Sequence, residues 1–343
     1  MDMINVLNTI RDNGTQTYQD RIPEATRENL EQIRYAMIDD DNVMVANEFM
    51  FTLLNKLIKQ TVHKKRFENP LKSLKKGKKP LGDTIEEIYI NFLKAEKHNA
   101  DSGADLMKRN LPDTKTVYHR MNSQLQYPIT VDRARLSKAF SSYENLEGYV
   151  LEIIASLYNS AELDEFVNTK QLLASAISKN AMKTVDIADP LLSEDNGKKF
   201  IKDVKTVSRL MTFPNSDWNA YLTAQSTDDK PIITLTRKSE QVLIVDAATD
   251  TSVAIDVLAS AFNKSVVEFN DTQKIVIDAF PIKNARAALV DEAFFQIFDD
   301  LYTLTQWFNP KSIYTNYYLN VWQTFAFSIL CNAVLFVVPE TGE

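Results

Sequence analysis

Between Tyr143 and Lys179 the chain has no proline and a single glycine, Gly148, near the start of the stretch. Proline in a helix interior removes a hydrogen bond and clashes with the preceding turn, so its absence leaves a long helix open. Leu146, Tyr149, Val150, Ile153, Ile154, Leu157, Tyr158 and Ala161 recur at helical spacing, with Glu147, Glu152 and Ser156 on the other side. The apolar stripe drifts through Phe166 and Val167 and resumes at Leu172, Leu173, Ala176 and Ile177. At ~1.5 Å per residue this helix spans roughly 50 Å. That is longer than most globular domains need, and it predicts a molecule built along a spine with strands laid against it.

A length of 343 residues allows one large or two to three smaller domains and a sizeable core. The net charge of -7 argues against a dedicated nucleic-acid binder. Glycine supplies only 7 residues, against a usual share of about 7%, so glycine-rich phosphate-cradling loops are nearly excluded. The single cysteine, Cys331, forms no intrachain disulfide and fits a reducing compartment. Met1 to Ile10 shows no basic flank followed by an apolar run, so no signal peptide is expected.

Residues 1–65 read as a mostly helical arm. Asp39, Asp40 and Asp41 interrupt two helical patterns, the second running through Val45, Phe49, Leu53, Leu54, Leu57 and Ile58. No glycine or distal glutamate completes a calcium-loop pattern, so the triplet reads as a solvated turn or helix start. Residues 56–79 then hold ten Lys or Arg against one acid, Glu68. The window carries +9 in a chain of -7, leaving -16 elsewhere. Such polarity favours contact between unlike parts of neighbouring copies or with an anionic polymer; the plainer reading is a solvated charged loop. Only Phe67 interleaves with the bases, so stacking on nucleobases is not expected.

Ile85 to Leu93 fits both a strand and a helix, whereas Leu125, Tyr127, Ile129 and Val131 alternate as a strand does. His98 to Asp105, with Gly103, reads as a loop tip between two extended arms. A lone hairpin is marginal in water and needs another surface to lie on. Residues 181–300 mix helix and strand signals: a helix over Gly197 to Leu210, and strands over Ile232 to Thr236, Gln241 to Asp246 and Lys274 to Ile277. Val253 to Phe262 carries both signals, and Asp217–Trp218 is turn-like. From Tyr302 the chain is aromatic, and it ends in an apolar run from Ile329 to Val338. Asn332 within it, and Gln323 and Ser328 ahead of it, keep the apolar stretch short of the ~20 residues a membrane span needs. It reads as a long central strand with Cys331 a buried, inert thiol.

Motifs for chemistry are missing. His63, His98 and His119 lack metal-ligand spacing, and no P-loop, dinucleotide fingerprint or serine elbow occurs. The carboxylate pairs Glu86–Glu87 and Asp299–Asp300 are adjacent and point apart. No catalytic residue, metal or cofactor is assigned.

Several strings resemble the major capsid protein of phi-29-type podophages. They are Asn69-Pro70-Leu71-Lys72 with Lys75-Lys76-Gly77, Pro80-Leu81-Gly82 and Thr84-Ile85-Glu86-Glu87-Ile88-Tyr89; Tyr158-Asn159-Ser160-Ala161-Glu162 with Asp164-Glu165; Asp217-Trp218-Asn219; Asp256-Val257-Leu258-Ala259 with Ala261-Phe262-Asn263; and Asn309-Pro310, Tyr314, Asn316-Tyr317-Tyr318, Val321-Trp322-Gln323-Thr324, Asn332-Ala333-Val334 and Phe336-Val337. Their shared order from Asn69 to Val338 makes the match specific.

The resemblance implies an α+β chain of the Hong Kong 97-type phage capsid fold, with a long spine helix, an extended two-stranded loop, and peripheral and axial domains. Mapped here, it gives an N-terminal arm (1–65), an extended loop (66–130), a peripheral domain (131–180 and 301–343) and an axial domain (181–300). It also makes Ile85–Leu93 a strand. The implied function is a shell subunit that self-assembles as hexamers and pentamers around phage double-stranded DNA. Its partners would be many copies of itself, a scaffolding protein, the portal or connector and head fibre proteins, with no membrane. With the sequence stopping at Glu343, the C-terminal immunoglobulin-like domain of the best-known member is not expected. Lys72, Lys75, Lys76, Lys78 and Lys79 are the candidate inter-subunit or DNA-facing residues. The rival readings are an encapsulin-like cellular compartment shell and a cofactor-free oligomeric enzyme.

Overall fold

A computed structural model describes residues 3–39, 43–59, 67–96, 109–140, 143–225, 230–253, 273–311 and 314–339. The loop tip from His98 to Asp105, the string Asp256 to Asn263, most of Val253 to Phe262, and His63 lie outside these residues.

In chain order the helices are α1 (Met3–Asp12), α2 (Gln16–Arg21), α3 (Leu30–Arg34), α4 (Val43–Lys59), α5 (Arg133–Ala139), α6 (Tyr143–Ile154), α7 (Ser160–Ser178), α8 (Glu194–Leu210) and α9 (Tyr221–Gln225). The strands are β1 (Lys75–Lys78), β2 (Ile85–Ile90), β3 (Thr114–His119), β4 (Ser123–Asp132), β5 (Lys183–Asp186), β6 (Gln241–Asp246), β7 (Gln273–Ile277), β8 (Ala285–Asp291), β9 (Phe295–Asn309), β10 (Tyr314–Phe327) and β11 (Ala333–Val337). The spine expected over Tyr143 to Lys179 is present, but a wider π turn, Ala155–Asn159, separates α6 from α7.

The chain forms two compact units. The first comprises residues 1–69, 123–165 and 299–323. Its core gathers Met3, Leu7 and Ile10 of α1, Phe49 and Met50 of α4, Phe140, Leu146 and Leu157, and Tyr317 and Leu319 of β10. The N-terminal helices therefore bury their apolar faces in the same core as α6. Phe49 and Phe140 meet with ring centroids 5.3 Å apart. β4 and β10 pair antiparallel from Tyr314↔Asp132 to Gln323↔Ser123.

The second unit comprises residues 70–122, 166–298 and 324–343. Its five-stranded sheet has the order β5–β11–β8–β6–β7. The sheet is mixed: β5–β11 and β6–β7 are parallel, while β8 runs antiparallel to both β11 and β6. Period-two alternation sorts its side chains onto two faces. Leu243, Val245, Ala287, Leu289, Val334 and Phe336 pack under Phe200, Val204 and Val207 of α8. Val242, Ile244, Ala288, Val290 and Leu335 share the opposite core with Leu172, Leu173 and Ala176 of α7.

Two sequence expectations need correction. Ile232 to Thr236 makes only an isolated bridge, Asn215↔Thr234. The run from Ile329 to Val338 becomes a strand only at Ala333, so Cys331 precedes the strand. Burial pushes its thiol pKa well up.

Candidate functional site

The basic segment begins on two anchors. Leu71 and Leu74 are buried in the second unit's core, and a 3-10 turn at Lys72–Leu74 leads into β1. Between these anchors Lys72 is exposed; beyond them Lys76 and Lys78 are exposed, and Lys75 and Lys79 half-buried. Lysines on an edge strand also discourage strand addition by another chain. Lys79 Nζ donates to the Asp83 carbonyl, closing the turn at Pro80-Leu81-Gly82. Gly77 and Gly82 adopt φ of +131° and +89°, a region side chains disfavour.

That turn feeds the ribbon β2–β3, paired antiparallel from Ile85↔His119 to Ile90↔Thr114. Alternation splits the ribbon into two chemically different faces. The inner face lies on the chain's own second unit. Tyr89 and Val117 pack against Tyr221, Ile232 and Leu330, and the Tyr89 hydroxyl donates to the Ile233 carbonyl. Asn91 Nδ2 donates to the Pro231 carbonyl at 3.1 Å, and Asn91 Oδ1 accepts from the Ile233 N–H at 3.3 Å. Lys115 Nζ lies 5.7 Å from the Tyr221 ring centroid. The chain's own second unit thus supplies the surface that a lone hairpin needs, and the arm across from Ile85–Ile90 is Thr114–His119, not the expected Leu125–Val131, which pairs with β10.

The outer face is different. Ile88, Ile90 and Tyr118 are 60%, 61% and 62% exposed. Phe92 follows on the same side. Burying such groups stabilises by roughly 25 cal/mol per Å² of apolar surface, so leaving them in water forgoes that gain.

Behind the ribbon, two of the quoted strings meet. Asn219, from Asp217-Trp218-Asn219, bridges Asn332, from Asn332-Ala333-Val334. Asn332 is fully buried. Its Oδ1 accepts from the Thr234 hydroxyl at 2.5 Å, and its Nδ2 donates to Thr236 Oγ1 at 3.1 Å. The Thr236 hydroxyl donates to Asp291 Oδ2 at 2.6 Å, and Asn219 Nδ2 reaches Thr234 Oγ1 at 3.1 Å. Burial raises the Asp291 pKa. This network holds the 230–236 segment, on which the ribbon's inner face rests. Spacing in the sequence could not reveal it.

In the first unit, Glu165 of the spine string accepts from Gln323 Nε2 at 2.8 Å and from Asn69 Nδ2 at 3.4 Å. Tyr127 donates to Asp164 at 2.8 Å. Three more quoted strings are thereby joined. Among the described residues, no group of three or more His, Cys, Asp or Glu is placed to hold a metal ion. None of their helices is long and apolar enough to cross a membrane.

The family model for "Phi29-like phage major capsid protein" matches residues 7–337. The major capsid protein of Bacillus phage PZA is 33% identical over 335 residues, covering 97% of this chain and 72% of that protein. The major capsid protein of Streptococcus phage Cp-1 is 28% identical over 293 residues, covering 81% and 76%. Among solved structures, the capsid of Staphylococcus phage Andhra superposes with a TM-score of 0.62 at 12% identity, covering 82% of this chain and 88% of that one. At that identity the likeness speaks for the fold.

Proposed function

Since the chain belongs to the family of Phi29-like phage major capsid proteins, we propose that its exposed ribbon face is a contact between copies in the shell. The chain is a structural capsid protein of the Hong Kong 97-type fold, acting as many copies in the virion. The phage shell is favoured over the cellular compartment and the enzyme.

The finer reading places hexamers and pentamers in an icosahedral or prolate head around double-stranded DNA. It keeps 66–130 as the extended loop, 131–180 and 301–343 as the peripheral domain, 181–300 as the axial domain and 1–65 as the N-terminal arm. The shell subunit has no catalytic role. Assembly takes place in the host bacterial cytoplasm with a scaffolding protein, the portal or connector and head fibre proteins. Lys72, Lys75, Lys76, Lys78 and Lys79 meet acidic surface on an adjacent copy or nonspecific phosphates of packaged DNA.

The carrying observation is the ribbon's apolar outer stripe of Ile88, Ile90 and Tyr118. Such a stripe on an ordered ribbon marks an association surface. Electron microscopy of the purified chain tests the reading. Closed shells are expected; a discrete dimer or tetramer overturns it. Replacing the five lysines with Gln is expected to flatten the salt dependence of assembly.

A further inference from the structure

The two ends of α8 carry opposite chemistry. At the N-terminal end Leu192 is 77% exposed, followed by exposed Glu194 and Asp195, of which Glu194 also pairs with Lys198 Nζ at 2.7 Å and Asp195 carries the end's remaining negative charge. The loop presenting Leu192 is braced. Asp189 accepts from two Arg286 nitrogens at 3.1 and 3.0 Å. Its carbonyl accepts from the Leu192 N–H at 3.2 Å and from Asn196 Nδ2 at 3.1 Å.

The far end is basic. Arg209 and Lys238 are exposed beside Phe213, 65% exposed, and Leu235, 40% exposed. Asn215 fixes that turn: its Nδ2 donates to the carbonyls of Leu210 at 3.1 Å and Phe213 at 2.7 Å. The Thr236 N–H reaches the Met211 carbonyl at 2.8 Å, which brings Leu235 alongside. Lys205 is less readily protonated than usual, through burial first and then the charges of Arg209 and Lys238. The cations therefore lie in one another's field.

The helix dipole favours acids in the first turn and bases in the last, which accounts for Glu194, Asp195 and Arg209. It does not account for Lys238, which is off the helix, or for Leu192 and Phe213 standing in water. A phosphate backbone on the basic end would leave Phe213 and Leu235 hydrated. A protein surface with both acids and apolar groups would cover everything. The chain supplies such a surface at the other end of α8. Over 17 residues the ends lie roughly 25 Å apart, so one copy cannot join them itself.

We propose that the acidic, apolar end of α8 in one copy docks on the basic, apolar end in the next, a head-to-tail contact that closes copies into a ring. The contact is heterologous: each copy uses each end once. The proposal rests on the capsid reading.

Glu194→Lys with Asp195→Lys reverses one end, and Arg209→Glu with Lys238→Glu reverses the other. Each pair is expected to raise the concentration needed for assembly by about tenfold, read by sedimentation velocity and light scattering. The quadruple variant restores complementarity with the signs exchanged and is expected to assemble within about threefold of the unaltered chain. It carries unfavourable charges at both ends of the helix dipole, so its recovery cannot come from a steadier α8. If circular dichroism shows a charge variant unfolded, Phe213→Gln, at an exposed site, is expected to give the same rise. Variants that all assemble normally, or a quadruple variant without recovery, overturn the head-to-tail contact and leave the capsid reading standing. An unaltered chain that stays monomeric overturns the capsid reading, and this contact with it.

Discussion

Glu87 and His119 face each other on the inner side of the ribbon, with His119 Nε2 2.7 Å from Glu87 Oε2. Their side chains are 8% and 16% exposed, His119 being the more buried. The other Glu87 oxygen accepts from Gln296 Nε2 at 2.9 Å. One carboxylate thus ties the ribbon's base to strand β9. Glu87→Ala leaves an imidazole and an amide without this acceptor, at a cost of about 1–3 kcal/mol. The loss is expected to be local. Hydrogen exchange of the Thr114–His119 amides should speed up more than that of β6 or β8, and equal acceleration everywhere would contradict it.

Asn332 sits at the centre of the buried network, so its removal should cost more than its size suggests. Asn332→Ala leaves Thr234 and Thr236 short of a partner and is expected to lose about 2–3 kcal/mol in denaturant unfolding. Asn219→Ala should lose less, because it donates to the Ile232 carbonyl and Thr234 at one edge. Combining the two should give a coupling of at least ~0.5 kcal/mol, as residues sharing a partner do. Strict additivity would remove the network from the argument.

The same residues explain what was legible in the sequence. Leu125, Tyr127, Ile129 and Val131 alternate on a strand with one face half-buried, so the pattern and β4 agree. The spine was legible because no proline interrupts it, but apolar spacing does not signal the π turn at Ala155–Asn159. Ile232 to Thr236 has strand-like composition, yet its polar groups go to Asn215, Asn219 and Asn332 rather than to a ladder. The partners Thr234 and Asn332 are 98 positions apart, and periodicity carries no information at that range. β8, buried along almost its whole length, is alanine-rich and gave no strand signal. Of the ribbon's strands β2 was foreseen, but the arm expected across from it, Leu125 to Val131, pairs with β10 instead; its actual partner β3 and its seat on Tyr221 and residues 231–233 were not.

Asp189 gives the acid side of stability a specific handle. Hydrogen bonds from Arg286 hold its pKa below the usual carboxylate value, against the opposing effect of burial. A carboxylate depressed in the folded state contributes stability that is fully present above its unfolded value, about 3.9, and is lost as pH falls through the folded one. Asp189→Asn is therefore expected to cost about 2 kcal/mol at pH 7. The difference from the unaltered chain should shrink below about pH 4. A gap that stays constant into strong acid would show that Arg286 is not acting through charge.

Ile88 and Ile90 separate folding from association, because neither touches the chain's own core. Their cross-strand partners on the outer face are Thr116 and Thr114, and the neighbouring pair joins Tyr118 to Glu86 through a 2.9 Å hydrogen bond. Ile88→Ser with Ile90→Ser keeps the ladder and the inner-face contacts, so unfolding midpoints should move by no more than about 0.5 kcal/mol per site. Assembly should weaken more. Each exposed isoleucine that becomes covered contributes about 1 kcal/mol, because about two-fifths of its surface is already buried. The two together correspond to roughly a tenfold or larger rise in the concentration needed for shells. Matched losses of stability and assembly would mean that the outer face serves the monomer alone. Loss of assembly at constant stability identifies it as the surface a neighbouring copy covers.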